Sequence, residues 1–419
     1  MCRLFPALLL TSLIVLVTGC GSAEPLLDPT VVPRHAVAGQ VIDGANGQPV
    51  AGVEVFVAGT SYRTTTGGRG GFRFAGVPLG SYDVVAYLPG YATATTPIAH
   101  GAAVTEDVRL TLSVANATQT ASAGEDAPPE QTEAPALSPA VADAVDALQQ
   151  RIEQLERRVT LLSRQVSLLR DEQRGTTLLA MNQEDLDTFN RFFLGDDPSE
   201  CRVLNPGVLS FEPAEDQPNT ILRATTDQPL EVLNRRLGYR LYVAIGDFGV
   251  ARSGQRYTVF SDARISFERL TPADEDEAEQ WREARQRAYI GSLTHLLRAL
   301  GAGRTGDEGF ALSQSVDIRQ RTSAGLGGQS YTREKWVPVK DLSSRVTATE
   351  EAYIKQFSVD RTYQVQYDQA TWYLASNAGD VAFTVLGQPL AADALRTEGY
   401  WQTRPVCQRV PTTYVPPLE

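Results

Sequence analysis

Apolar and polar residues alternate through the first quarter of the chain. The apolar members fall in Val37-Gly39-Val41, Val53-Val55-Val57, Tyr62 to Thr66, Phe72-Phe74, Tyr82-Val84-Ala86, Tyr91 to Ile98 and Val108-Leu110-Leu112. A period of two sends one face of each run into a core and the other into water, which predicts strands. Gly44, Gly47, Gly59, Gly67, Gly68, Gly70, Gly71, Gly76 and Gly80 punctuate the runs. Seven short strands with no helical period between them predict a seven-stranded β-sandwich over 36–112.

The period changes at residue 140. Val141, Val145, Leu148, Ile152, Leu155, Val159, Leu162, Val166 and Leu169 recur at alternating steps of four and three. Ser138 suits an N-cap and Pro139 the first helical position. This heptad predicts a coiled coil over 140–174, with β-branched a positions and mostly Leu at d. That choice favours a parallel homodimer through 140–172, in which Arg151 faces Glu156 of the other helix. The same stripe also suits a helix packed on its own C-terminal domain. At 1.5 Å per residue the coil spans about 45 Å. Residues 113–139 carry Pro128, Pro129, Pro135 and Pro139 with four acids and no aromatic, which predicts a disordered acidic Pro/Ala/Thr linker.

From 175 to 419 strand patterns mix with helix. A short helix is expected over Asp185–Phe193. Strands are expected at Ile221–Thr225, Leu230–Leu233, Tyr239–Phe248, Tyr257–Phe260, Ile265–Phe267, Phe310–Ile318, Tyr363–Tyr367 and Val381–Leu386. One long helix is expected from about Ala273 to Leu300, its start loaded with Asp274, Glu275, Asp276 and Glu277. The class is α+β, and the chain as a whole reads as multidomain and β-rich.

Composition narrows the function. The chain has 419 residues, 38 Lys and Arg against 50 Asp and Glu, and a net charge of −12. With no basic block, nucleic-acid binding is excluded as an expectation. Leu4 to Val17 is apolar but too short to span a membrane. It reads as the core of a signal peptide over 1–19. It ends in Val17-Thr18-Gly19-Cys20, which resembles the bacterial lipobox. That resemblance implies lipidation of Cys20, with 20–35 as anchor and short linker, and a membrane-anchored protein of the cell envelope. Gly21-Ser22 after the cysteine lacks the Asp of an inner-membrane retention signal, which favours the outer membrane. Cys201 and Cys407 then remain, as one disulfide or as two buried thiols.

The sandwich residues GQVIDGANGQPVAGVEVFVAGT and GGFRFAGVPLGSYDVVAYLPGYAT resemble the carboxypeptidase regulatory-like domain, a transthyretin-like sandwich. Gly67-Gly68-Arg69-Gly70 lacks the acidic residue that family commonly has before its Gly-x-Phe strand. The resemblance implies a fold and no peptidase activity, because the matching residues are turn and core residues and the zinc domain of carboxypeptidases is a separate unit. Asn234 to Tyr239, Arg285 to Leu300, Glu308-Gly309-Phe310 and Gly399-Tyr400-Trp401 are similar to blocks in uncharacterised bacterial envelope proteins that carry the same domain.

Candidate chemistry is sparse. Gly301-x-Gly303-x-x-Gly306 follows a helix, the wrong setting for a dinucleotide fingerprint. His295 has no partner visible in sequence. Arg235, Arg236, Arg285 and Arg298 suit an acidic ligand or ion pairs, and Trp336, Trp372, Tyr373, Tyr400 and Trp401 suit sugar stacking or a core. No catalytic residue, metal or cofactor is expected. The expected function is a non-catalytic envelope lipoprotein that displays and binds, with a glycan or an envelope protein as partner. The alternative is a carbohydrate-binding or hydrolase-accessory surface protein.

Overall fold

The computed structural model describes residues 31–100, 107–114, 183–195, 197, 199–212, 219–226, 228–321, 330–339, 342–376, 379–391, 394–399, 401 and 404–417. The signal peptide, Cys20, the linker beyond Val114 and the heptad segment lie outside the described residues.

The first unit stacks two sheets. β1 (Arg34–Asp43), β4 (Gly71–Pro78) and β7 (Asp107–Leu112) form one, in the order β4-β1-β7. β2 (Glu54–Val57), β3 (Arg63–Thr65), β5 (Gly80–Tyr87) and β6 (Ala94–His100) form the other, in the order β3-β2-β5-β6. Val37, Val41, Val55, Val57, Phe72, Phe74, Val84 and Leu110 meet between them, as the period of two requires. The unit extends past its expected ends. Val32 is buried against Leu79 and Leu386, so the folded part begins inside the segment expected as anchor and linker. Ser113 C=O accepts a hydrogen bond from Ala92 N–H, and Val114 bridges Tyr91, so the unit also takes in the first two residues of the expected linker.

Residues 183–417 carry two hydrophobic clusters. The first lies on a six-stranded sheet of β8 (Cys201–Val203), β9 (Leu209–Glu212), β10 (Thr220–Thr226), β11 (Leu230–Asn234), β12 (Tyr239–Ser253) and β13 (Arg256–Arg269). β12 is long enough for β11 to pair along its first half and β10 along its second, while β13 lines its other edge. The two runs Tyr257–Phe260 and Ile265–Phe267 are therefore one strand. The Gln183–Phe189 helix and the turn Asn190–Leu194 cover this core with Phe189 and Phe193. Cys201 and Cys407 are joined by a disulfide, Cα atoms 6.3 Å apart, that ties β8 to the Val406–Gln408 turn.

The second cluster lies under β14 (Phe310–Arg321), β15 (Ser330–Pro338), β18 (Tyr363–Tyr367), β19 (Ala370–Ala375) and β21 (Arg396–Gly399), with β16 (Val346–Ala348), β17 (Ile354–Ser358) and β20 (Asp380–Thr384) as a second small sheet. The expected helix from Ala273 to Leu300 is two helices, Glu275–Tyr289 and Leu293–Gly301. The break falls where Gly291 takes φ +73°, a backbone state open to glycine at little cost. The first helix serves the first cluster through Ala284 and Ala288; the second serves the second through Leu296, Leu297 and Leu300.

The sandwich is docked onto this body. Gly59 N–H donates to Ile265 C=O (2.7 Å) and Phe267 N–H to Thr60 C=O (2.9 Å), so the β2–β3 turn lies alongside β13. Thr412 N–H donates to Gly59 C=O, and Ser81 N–H to Pro389 C=O, each at 2.8 Å. Arg264 meets Asp83 at 2.8 Å. Phe56 and Val85 bury themselves against Ala244. Along β12 the residues Leu241, Val243 and Ile245 face the first cluster, so Ala244 points the other way, into this joint.

Candidate functional site

The break between the two helices builds a polar cleft. Ser292 caps the second helix, its hydroxyl accepting from His295 N–H at 3.1 Å. The capped turn folds the His295 ring back over Gly291, whose N–H donates to Nδ1 at 3.0 Å. Nδ1 is thus the acceptor, and the proton sits on Nε2, which faces Glu308 Oε2 at 3.3 Å. Glu308 also receives Arg304 Nη2 at 2.8 Å. His295 is 6% exposed, and burial pushes its pKa down. Glu308 pulls the other way, while Arg298 and Arg304 add to the lowering. Rings of Phe310 (4.9 Å), Tyr289 (5.0 Å) and Tyr367 (6.0 Å) enclose it. The cleft beside it measures about 660 Å³ and is lined by Arg298, Arg304, Tyr289, Tyr367 and Pro416 among others.

His295 therefore does have a partner, Glu308, which sequence reasoning placed only within a familiar block. The loop between the second helix and β14 brings the two together. With both ring nitrogens engaged, the imidazole has no lone pair left to take a proton from a substrate.

A second, open groove of about 320 Å³ lies on the outer face of the β14–β15–β18–β19–β21 sheet, with Trp336, Tyr373, Thr362, Glu334, Arg396 and Glu398 around it. The Trp336 and Tyr373 rings are half-exposed, with centroids 5.5 Å apart. Trp372, one residue along β19, points inward, is 1% exposed and stacks on Trp401 at 4.7 Å. Trp401 Nε1 in turn donates to Gly291 C=O. The aromatic candidates thus divide: Trp336 and Tyr373 lie on the outer face, while Trp372 is buried and Trp401 packs against it. Tyr400 lies outside the described residues.

The four candidate arginines do not converge. Arg235 and Arg236 are exposed. Arg285 donates to the carbonyls of Leu237 (2.7 Å) and Gly238 (3.0 Å) and lies over the Tyr239 ring. Trp281 Nε1 donates to Arg235 C=O, and Asn234 holds Leu237 N–H on one side and Cys407 C=O on the other. Gly238 sits at φ +65° with the Trp281 ring where a Cβ would be. The two familiar blocks are thus halves of one structural clamp. Arg298 alone reaches the cleft.

The acidic run caps the first helix. Asp274 accepts from Glu277 N–H (2.8 Å), and Glu277 accepts from Ala273 N–H (2.6 Å). Gly301 ends a helix, and Gly303 and Gly306 sit in the turns after it, so no strand leads into them. Among the described residues no cluster of three His, Cys, Asp or Glu side chains suits a metal ion.

Comparison with known proteins bears on the sandwich. Residues 36–113 match the family model of the carboxypeptidase regulatory-like domain. No curated protein matches the chain. The matched segment contains no residue of the His295 cleft or of the Trp336 groove.

Proposed function

We propose that the protein is a non-catalytic lipoprotein of a bacterial cell envelope, anchored through Cys20, that acts by binding outside the cytoplasm. The observation that carries the non-catalytic reading is the state of His295. Its Nδ1 is taken by Gly291 N–H and its Nε2 proton by Glu308, so the imidazole serves as a brace between a helix start and a loop. The docked sandwich supports a rigid binding body. The described residues on either side of 115–182 belong to one body, so pairing through 140–172 is proposed as a link between two such bodies and not as a spacer between sandwich and head. Pairing two bodies raises avidity for a repetitive partner such as an envelope polymer. The anchor proposal places the protein at the outer membrane.

The test uses the full chain purified from membranes. Intact mass should show an acylated Cys20 N-terminus. The chain should co-sediment with envelope polymer and show no turnover of glycan or peptide substrates. Turnover that disappears in His295→Ala would overturn the proposal.

A second reading, carbohydrate binding, is favoured by the Trp336–Tyr373 pair. Flat rings on a sheet face, flanked by Arg396, Glu334 and Glu398, suit the apolar face and hydroxyls of a sugar. Retention of Trp336→Ala on immobilised glycans should then fall. Equal retention of variant and wild type would remove this reading.

A further inference from the structure

Arg298 is 7% exposed, and its Nε and Nη1 have no hydrogen-bond partner among the described residues. A guanidinium is always charged, and burying one without a counter-charge is costly. The neighbouring charges do not meet that need. Glu308 is already divided between Arg304 and His295. Asp307 stands on the exposed rim. His295 is held neutral, and the end of the Leu293–Gly301 helix supplies only a partial negative charge. Tyr289 shares a hydrogen bond with Arg298 and its ring lies 5.5 Å from the guanidinium carbon, but it is neutral and supplies no counter-charge. The stem of Arg298 runs beside Gly387, so close that a Cβ there would come within 3.2 Å of Cγ.

We propose that the cleft binds a ligand through an oxyanion, a carboxylate or a phosphate, seated on Arg298, with Arg304 at its edge. A planar guanidinium presents paired donors that match either group. The volume of about 660 Å³ accommodates a monosaccharide-sized body, and Tyr367 and Pro416 give it an apolar wall. The site is separate from the Trp336 groove, since the two share no lining residue. It does not depend on the anchor or on pairing of the heptad segment.

The test is thermal stabilisation of the full chain by three probes: inorganic phosphate, galacturonate and neutral galactose. Binding to the folded state alone raises the melting temperature. Phosphate or galacturonate should stabilise and galactose should not; which anion acts tells a phosphate source from an acidic sugar. Arg298→Gln should weaken the apparent affinity by about tenfold or more, and Arg298→Lys by less, because Lys keeps the charge but not the fork. If Arg298→Gln does not fold, Arg304→Gln, at the cleft edge, should still weaken the anion response. No stabilisation by either anion would overturn the proposal. So would equal stabilisation by galactose, an unchanged response in a folded Arg298→Gln, or an unchanged response in Arg304→Gln.

Discussion

Arg298 and His295 are neighbours one turn apart on the same helix, and burial treats them oppositely. The guanidinium is left with Nε and Nη1 unpartnered, while the imidazole, which can go neutral, has its pKa pushed down. This gives a pH dependence with a definite sign. A histidine whose folded pKa lies below its unfolded value of about 6.5 binds fewer protons when native. Its contribution is complete above that pH and is lost as pH falls through the lowered value. His100, 1% exposed and 6.0 Å from the His35 ring, is lowered by burial as well and acts in the same direction. Melting temperature should therefore fall between pH 7 and pH 5. His295→Gln, whose amide can still accept from Gly291 and donate to Glu308, should show a shallower fall over that range. Parallel curves for the two proteins would contradict the assignment.

At the scale of elements, the Gly291 break decides what the second helix can do. Alanine there must hold a left-handed backbone while its Cβ presses the Tyr367 ring at 3.1 Å. Gly291→Ala should cost about 1–3 kcal/mol in chemical denaturation. The disulfide is a second test. It closes a separation of 206 residues, and Cys407→Ser should lower stability by about 2–5 kcal/mol. Sequence reading captured the strands whose inward positions are strongly apolar, such as β2, β12 and β18. It missed β15, β19 and β21, where polar residues such as Thr332, Glu334, Thr371 and Glu398 blur the alternation. It ran two helices together because Tyr289, Leu293, Leu296 and Leu300 keep a helical period across the break. Gly291-Ser292, a stop followed by a cap, was the available signal. The pairing of His295 with Glu308 was not legible. They stand thirteen positions apart in the chain, and only the folded loop brings them together.

For the whole molecule, the joint between sandwich and body predicts one unfolding event. Ala244→Arg points away from the first cluster and into the joint, so it should leave both units folded but uncoupled. Calorimetry should show a single transition in the wild type and two in the variant. Leu155→Pro should abolish self-association through the heptad segment, since an interior proline costs a helix about 3 kcal/mol or more. Sedimentation of a wild type that stays monomeric at high concentration would refute the pairing itself. The joint also sets an order of events during biosynthesis. Gly59 leaves the ribosome early, yet Thr412, which donates to its carbonyl, comes 353 residues later. The sandwich can close on its own local strands, but Phe56 and Val85 stay bare until β12 arrives. Contacts this distant in sequence form slowly. Chains stopped short of β12 would thus present a finished sandwich with a sticky side, and the last step of maturation is the covering of that side.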